Sequence, residues 1–268
     1  MKNNRLLTLE AGRNFRELGG YQTKDGNTIK YHKIIRSASL GQLTDHDLNF
    51  LTDYGLKYDI DFRSADEQQK VPDRAPEHVE YLFDPVFGVD LTQASKFDDQ
   101  EKAATPDHNI EGLTDIPSDG HENMCNTYRE LIHLDSAKKA YRIFFDKLLE
   151  NNQADQVLLF HCTAGKDRTG MGAVFFMTAL GVDRQTILND YLMTNEVTKD
   201  FVEEQLQPFT NNPLMYDSVK ALMQVSPDYL KAADEEVKKE AGSWINYLQT
   251  QIKVTDQEIA DLKKIYLQ

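Results

Sequence analysis

An α/β fold, with a central, mostly parallel sheet flanked by helices and a helical C-terminal third, is the fold class this chain predicts. Three observations carry it. Short apolar segments of strand length alternate with segments of helical period through the first two thirds of the 268 residues. One of them, Val157-Leu158-Leu159-Phe160, is four apolar residues in a row, as a strand covered on both faces requires. The last third reads as helix after helix, with clear start signals.

The elements follow in order. Asp25-Gly26 lies between Tyr21 and Thr28-Ile29-Lys30-Tyr31 and predicts a hairpin turn. Ile34-Ile35 reads as a short strand. Thr44 can cap a helix over Asp45–Tyr54, with Leu48 and Leu51 inward and Gly55 ending it. Leu56–Phe62 reads as a strand that delivers Asp61 and Arg63 to its C-terminal end. Tyr81–Val86 is another. Residues 88–122 hold Asp90, Asp98, Asp99, Glu101, Asp107, Glu111, Asp115 and Asp119 among scattered Gly and Pro, which predicts a loop-rich insertion: a lid over a site, or a solvated acidic loop. Helices are expected over 123–133 and 136–150. In the second, Ala137, Ala140, Tyr141, Phe144, Phe145, Leu148 and Leu149 recur at helical spacing. Thr169–Leu180 is a nearly all-apolar helix closed by Gly181. Ser226-Pro227 is a cap followed by a first-turn proline, and Thr255-x-x-Glu258 is a capping box. Phe144, Phe145, Phe175 and Phe176 read as core. No internal repeat breaks the pattern, so residues 1–268 are expected to form a single domain.

Composition limits the function. The chain is 40% hydrophobic and 28% charged, in the range of a soluble globular protein. No apolar run reaches the roughly 18 residues of a membrane span. Met1–Glu10 carries Lys2 and Arg5 with no apolar stretch behind them, unlike a secretory signal. A cytoplasmic protein is expected, or a secreted one whose signal has been removed. The net charge of −14 disfavours nucleic-acid and anionic-membrane partners, so any anion site must be a local exception. The two cysteines, Cys125 and Cys162, do not make a disulfide framework, and a free thiol kept for reactivity suits a reducing compartment. His121 and Cys125 have a spacing open to zinc, but no further ligands stand nearby. No metal or other cofactor is expected.

The chemistry concentrates in His161-Cys162-Thr163-Ala164-Gly165-Lys166-Asp167-Arg168-Thr169-Gly170, between the buried strand and the apolar helix. A loop in that place aims several backbone N–H groups at one point, with the helix N-terminus adding partial positive charge. Gly165 opens conformations closed to other residues. Cys162 begins the loop and Arg168 ends it, five residues apart. Wrapped around an anion, the loop presents phosphorus to the thiolate and two oxygens to the guanidinium fork. The same donors favour a thiolate, the nucleophilic form of the residue. Thr163, Ala164, Gly165, Lys166, Asp167, Arg168 and Thr169 are therefore the phosphate-binding candidates, and Cys162 the nucleophile. A Walker A loop is ruled out, because Phe160 and Asp167 stand where that motif needs Gly and Ser or Thr.

The segment resembles the signature H-C-x5-R-S/T of the cysteine-dependent phosphatases. Within them it resembles the bacterial tyrosine phosphatases with the loop H-C-x-x-G-K-D-R-T. Asn14-Phe15-Arg16-Glu17-Leu18-Gly19-Gly20, Arg36-Ser37-Ala38, Asp61-Phe62-Arg63-Ser64 with Glu67, and Asp190-Tyr191-Leu192-Met193-Thr194-Asn195 strengthen the likeness, which covers residues 11–268. It implies a phosphotyrosine-phosphatase-like fold, no metal, and phosphorylated proteins or phosphoinositides as substrates. It also implies a structural role for His161, bonding the loop backbone.

Three aspartates compete as general acid: Asp167 in the loop, then Asp61 at a strand end, then Asp84 before Pro85. Either of the latter could instead hold Arg63 or Arg168. Arg63 is expected to support the site. Lys166 either serves substrates with several phosphates or neutralises Asp167. Two rival functions stand beside the enzyme: a pseudophosphatase that captures phosphorylated ligands, and a thiol redox sensor with Cys125 as resolving partner.

Overall fold

The computed structural model describes residues 5–97 and 116–268. Five strands form its sheet: β1 (Arg16–Glu17), β2 (Ile34–Ser37), β3 (Leu56–Asp61), β4 (Glu80–Phe83) and β5 (Val157–His161). Their order is β1-β2-β5-β3-β4; β1 is antiparallel to β2 and the other pairs are parallel. β5 is central, as its unbroken apolar run predicts. Successive side chains of a strand face opposite sides. Leu158 and Phe160 join the large core, while Val157 and Leu159 join a smaller one with Phe15, Leu40, Leu43 and Leu51.

Helices cover both faces. Asp45–Asp53 starts with a capping box in which Thr44 accepts from the Asp47 N–H, and Gly55 follows it at φ +90°. The helix Asp135–Glu150 buries Ala137, Ala140, Tyr141, Phe144, Phe145 and Leu148, the stripe its spacing predicts. Phe144 meets Phe160 and Phe62 at ring-centroid distances of 4.8 and 5.5 Å. The helix Arg168–Leu180 is buried almost throughout, which its apolar composition demands. It ends at Gly181, at φ +86°. Six further helices make up the described C-terminal third: Arg184–Val197, Lys199–Leu206, Pro213–Met223, Pro227–Ala241, Trp244–Thr250 and Asp256–Tyr266.

Three details depart from the sequence reading. β4 ends at Phe83 rather than Val86, because Pro85 has no N–H to continue a ladder. The loop helix begins one residue early, at Arg168. The hairpin around Asp25-Gly26 forms, with Thr23 N–H bonded to Asn27 C=O, but its second arm also pairs with the chain's last residues: Thr28 and Gln268 exchange two backbone bonds of 2.9 Å. Of the acidic stretch 88–122, residues 98–115 lie outside the described part. Residues 94–97 form a 3₁₀ turn, and Gly120–His133 is a helix capped by Asp119. No described helix is long and apolar enough to cross a membrane.

Candidate active site

β5 delivers His161 to the C-terminal edge of the sheet, and the helix from Arg168 leaves from the same place. The loop between them turns through Gly165 at φ +64°. A Cβ there would lie 2.3 Å from the Ser37 carbonyl oxygen. Glycine is therefore required twice, by dihedral and by space. Gly165→Ala is expected to cost about 2–5 kcal/mol of stability, read as a lower denaturant midpoint.

Outside partners hold the loop's carbonyls. Thr163 C=O accepts from the Ser39 N–H at 3.0 Å. Ala164 C=O accepts from Asn14 Nδ2 at 3.1 Å, and Gly165 C=O from Arg36 Nη2 at 2.8 Å. Because each peptide is planar, a carbonyl turned away from the loop's centre turns the next N–H toward it. The loop is thus set as an anion cradle at a helix start.

Arg168 is fully buried and gripped from one side. Its Nη1 and Nη2 donate to the two carboxylate oxygens of Glu67 at 2.7 and 2.8 Å. This two-point contact fixes the plane of the guanidinium. Nη2 also reaches Thr92 Oγ1 at 3.3 Å and Asp90 Oδ1 at 3.5 Å. Its Nε, like Thr169 Oγ1, is buried with no hydrogen-bond partner in the protein. Burial would raise the Glu67 carboxyl, but Arg168, Thr163 and Ser64 outweigh it and bring it down to about 2. Cys162 is 2% exposed and free of any disulfide.

Behind Cys162, His161 is fully buried, with Nδ1 3.3 Å from the Cys162 carbonyl oxygen. Its Nε2 lies 3.2 Å from Asp73 and 3.3 Å from Asp59. Burial alone would lower its pKa, but Asp73, Asp61 and Asp59 raise it well above the usual value. These carboxylates favour the imidazolium form of His161, in which Nδ1–H faces the Cys162 carbonyl.

A family comparison decides the kind of chemistry. The model of the tyrosine phosphatase family matches residues 7–268. The chain belongs to the tyrosine phosphatase family. It is 26% identical over 261 residues to a Cupriavidus necator protein assigned by name to the tyrosine-protein phosphatases, covering 97% of this chain and 88% of the relative. It is 25% identical to the triple specificity protein phosphatase PtpB of Mycobacterium tuberculosis, covering 88% of this chain and 90% of that one. A tyrosine-protein phosphatase of Nostoc commune is 30% identical over 161 residues, 60% of this chain and 48% of its own length.

In this phosphatase the three aspartates have different settings. Asp61 is fully engaged: Oδ1 accepts from the Arg63 N–H and Nε, and Oδ2 from Arg63 Nη2 and the Tyr81 hydroxyl. That geometry is one of support, with Arg63 tied on to Asp73 at 2.6 Å. Asp84 is buried, which pushes its carboxyl up to about 7. Asp167 accepts from the Tyr128 hydroxyl at 2.9 Å and pairs with Lys166 at 2.9 Å. Lys166 Nζ also donates to the Leu222 carbonyl at 2.7 Å. Its charge is thus directed at Asp167.

Glu67 and the Asp90–Thr92 pair are the residues the sequence reading leaves without a site role. For Glu67 a signal existed: Ser64-x-x-Glu67 is a capping box, and its carboxylate accepts from the Ser64 N–H as well as from Arg168. Asp90 and Thr92 lie within an acidic stretch whose fold no spacing specifies. His121 and Cys125 lie on the helix Gly120–His133 with Sγ 3.9 Å from Nδ1; His121 pairs with Asp228 at 3.2 Å, and burial pushes the Cys125 thiol up.

Proposed function

We propose that the chain hydrolyses aryl phosphomonoesters, phosphotyrosine first, through a phosphocysteine intermediate. The observation that carries this reading is the loop with Cys162 at one end and Arg168 at the other, its guanidinium clamped by Glu67 while Nε stays unpartnered. The Cys162 thiolate attacks phosphorus and the phenolate oxygen leaves as the P–O bond breaks. Loop N–H groups and Arg168 Nε bind the phosphoryl oxygens, where charge accumulates. Asp167 gives its proton to the leaving oxygen. Water then attacks the phosphocysteine, passing a proton to the Asp167 carboxylate, and the P–S bond breaks to restore the thiolate. Asp61 serves as a positioning residue for Arg63.

Asp167 carries the acid role because it adjoins Arg168 in the loop. Its carboxyl is held in place by the Lys166 ammonium and the Tyr128 hydroxyl, each at 2.9 Å. A phenolate is a good leaving group, so aryl esters ask least of such an acid. Asp167→Asn is accordingly expected to slow esters of poor leaving groups by about 10²–10⁴-fold, and p-nitrophenyl phosphate by much less. Equal losses across a leaving-group series would reject Asp167 as acid.

A phosphoinositide is the second substrate class. An apolar slot beside the loop supports it, lined by Phe97, Phe201, Val202, Leu222 and Met223, with the Arg13 guanidinium 4.1 Å above the Phe201 ring. The primary experiment measures turnover on phosphotyrosine peptides, phosphoserine peptides, and mono- and polyphosphorylated inositides. Phosphotyrosine is expected to lead. Phosphate binding without turnover on any of them would establish the pseudophosphatase instead. The redox-sensor reading gains nothing from Cys125, which is buried on another element.

A further inference from the structure

Three sequence motifs have no part in the mechanism above: Asn14-Phe15-Arg16, Arg36-Ser37-Ala38 and the Asp190 segment. The fold brings them into one buried network. β1 and β2 pair Arg16 directly opposite Arg36, and β2 sets Arg36 beside Phe160 of β5, two residues before the nucleophile. Asp190 approaches from the helix Arg184–Val197, and all three side chains are buried.

We infer that Asp190 is the positioning residue of the phosphate-binding loop, acting through two arms that end on successive loop carbonyls. In the first arm, Arg36 Nη1 donates to Asp190 Oδ2 at 2.8 Å, and Nη2 donates to Gly165 C=O at 2.8 Å. The fork spans both because its donors are fixed in one plane. In the second, Arg16 Nε donates to Asp190 Oδ1 at 3.3 Å, and Nη2 to the Asp190 C=O at 3.2 Å. Arg16 Nη1 then grips Asn14 Oδ1, and Asn14 Nδ2 donates to Ala164 C=O at 3.1 Å and Gly165 C=O at 3.0 Å. Asn14 stands at φ +57°, the left-handed region that Asn tolerates better than most residues. The backbone accepts that strain where the amide must reach the loop. Tyr21 completes the carboxylate, its hydroxyl donating to Oδ1 at 3.0 Å.

The chemical consequence follows from the peptide plane. Pinning the Ala164 and Gly165 carbonyls outward pins the Gly165 and Lys166 N–H groups inward, toward the phosphoryl oxygens. The network also carries charge: two guanidiniums against one carboxylate leave one net positive charge. Burial and the neighbouring Arg16 lower Arg36 to about 10, so it stays cationic at neutral pH. Asp190 prevents the two arginines from separating and holds the Arg36 fork toward the Gly165 carbonyl and the Arg16 fork toward Asn14.

The inference rests on the reading that the loop binds the transferred phosphoryl group. Its test is the affinity for inorganic phosphate, measured as a competitive inhibition constant against p-nitrophenyl phosphate, together with kcat, KM and Tm. Asp190→Asn is expected to raise the phosphate inhibition constant and KM by about 10–100-fold, because displacements near 1 Å at a reacting centre have effects of that size. Arg36→Lys keeps a cation beside Asp190, but one ammonium does not reproduce the fork to Gly165. It is expected to weaken phosphate about 10-fold. Asn14→Gly suits the backbone, removes the amide, and is expected to do the same. Should Asp190→Asn fail to fold, the other two variants decide. A lower Tm with phosphate affinity and KM unchanged in the folded variants would overturn the inference and leave the network purely structural. A wild-type protein that neither turns over the ester nor binds phosphate would overturn the phosphatase reading instead.

Discussion

Cys162→Ser is expected to lower turnover of p-nitrophenyl phosphate by at least about 10⁴-fold while leaving phosphate binding nearly intact. The two outcomes separate because the proposed nucleophile and the proposed anion cradle are different atoms. Serine keeps the size of the side chain and touches none of the bonds that hold the loop. The Ser39, Asn14 and Arg36 contacts to its carbonyls remain, as does the Glu67 clamp on Arg168. What is lost is the sulfur that the proposed mechanism uses as nucleophile. A serine hydroxyl is far less acidic than a thiol, and the cradle's positive field does not ionise it near neutral pH. His161 gives no substitute base, since its Nε2 faces Asp59 and Asp73 and its Nδ1 donates to the Cys162 carbonyl. The measurement pairs steady-state turnover with calorimetric titration of inorganic phosphate. Full turnover by the serine variant would sink the phosphocysteine mechanism. Loss of phosphate binding along with turnover would show that the thiol organises the loop.

Much of this site was legible because it is contiguous. Cys162, Gly165, Arg168 and Thr169 lie on one strand-to-helix turn, and the physics of that turn depends on local spacing alone. β5 and the apolar helix were legible for the same reason: four apolar residues at strand length and the nearly all-apolar Thr169–Leu180 at helix length admit few alternatives. What stayed hidden depends on tertiary placement. Glu67 is 101 positions from Arg168, and nothing in Ser64-x-x-Glu67 says that its cap carboxylate also holds an arginine on another element. Asp190 is 154 positions from Arg36. Asp61 is the instructive case. Its place at a strand end made it a candidate acid, and the strand end is where it stands. Arg63, two residues on, folds back to take both of its oxygens. Reach is set by side-chain partners, and a one-dimensional reading does not contain them.

Under the proposed mechanism the Glu67–Arg168 pair joins stability to catalysis, and Glu67→Gln is expected to show both. Glu67 is buried, and its carboxylate is held down to about 2 against an ordinary value of 4.5. A carboxyl depressed in the folded state contributes stability above its unfolded pKa and loses it as the pH falls through the folded one. The wild-type protein is therefore expected to lose stability progressively from about pH 4.5 toward pH 2. In Glu67→Gln that limb flattens, while stability at neutral pH falls by about 3–5 kcal/mol, since a buried guanidinium is left without its counter-charge. Catalysis falls with it. Glutamine offers one acceptor oxygen where carboxylate offers two, so Nη1 and Nη2 of Arg168 are no longer both fixed. A misaligned donor at the phosphoryl oxygens costs on the order of 10²–10³-fold in kcat. Thr163 and the Ser64 cap share the same carboxylate, so the start of the loop and the start of the helix Ala65–Lys70 loosen together. Urea unfolding as a function of pH, set beside kcat at a temperature where the variant is folded, reads both effects. A variant with normal kcat and an unchanged acid limb would show that Arg168 is oriented by Asp90 and Thr92 instead.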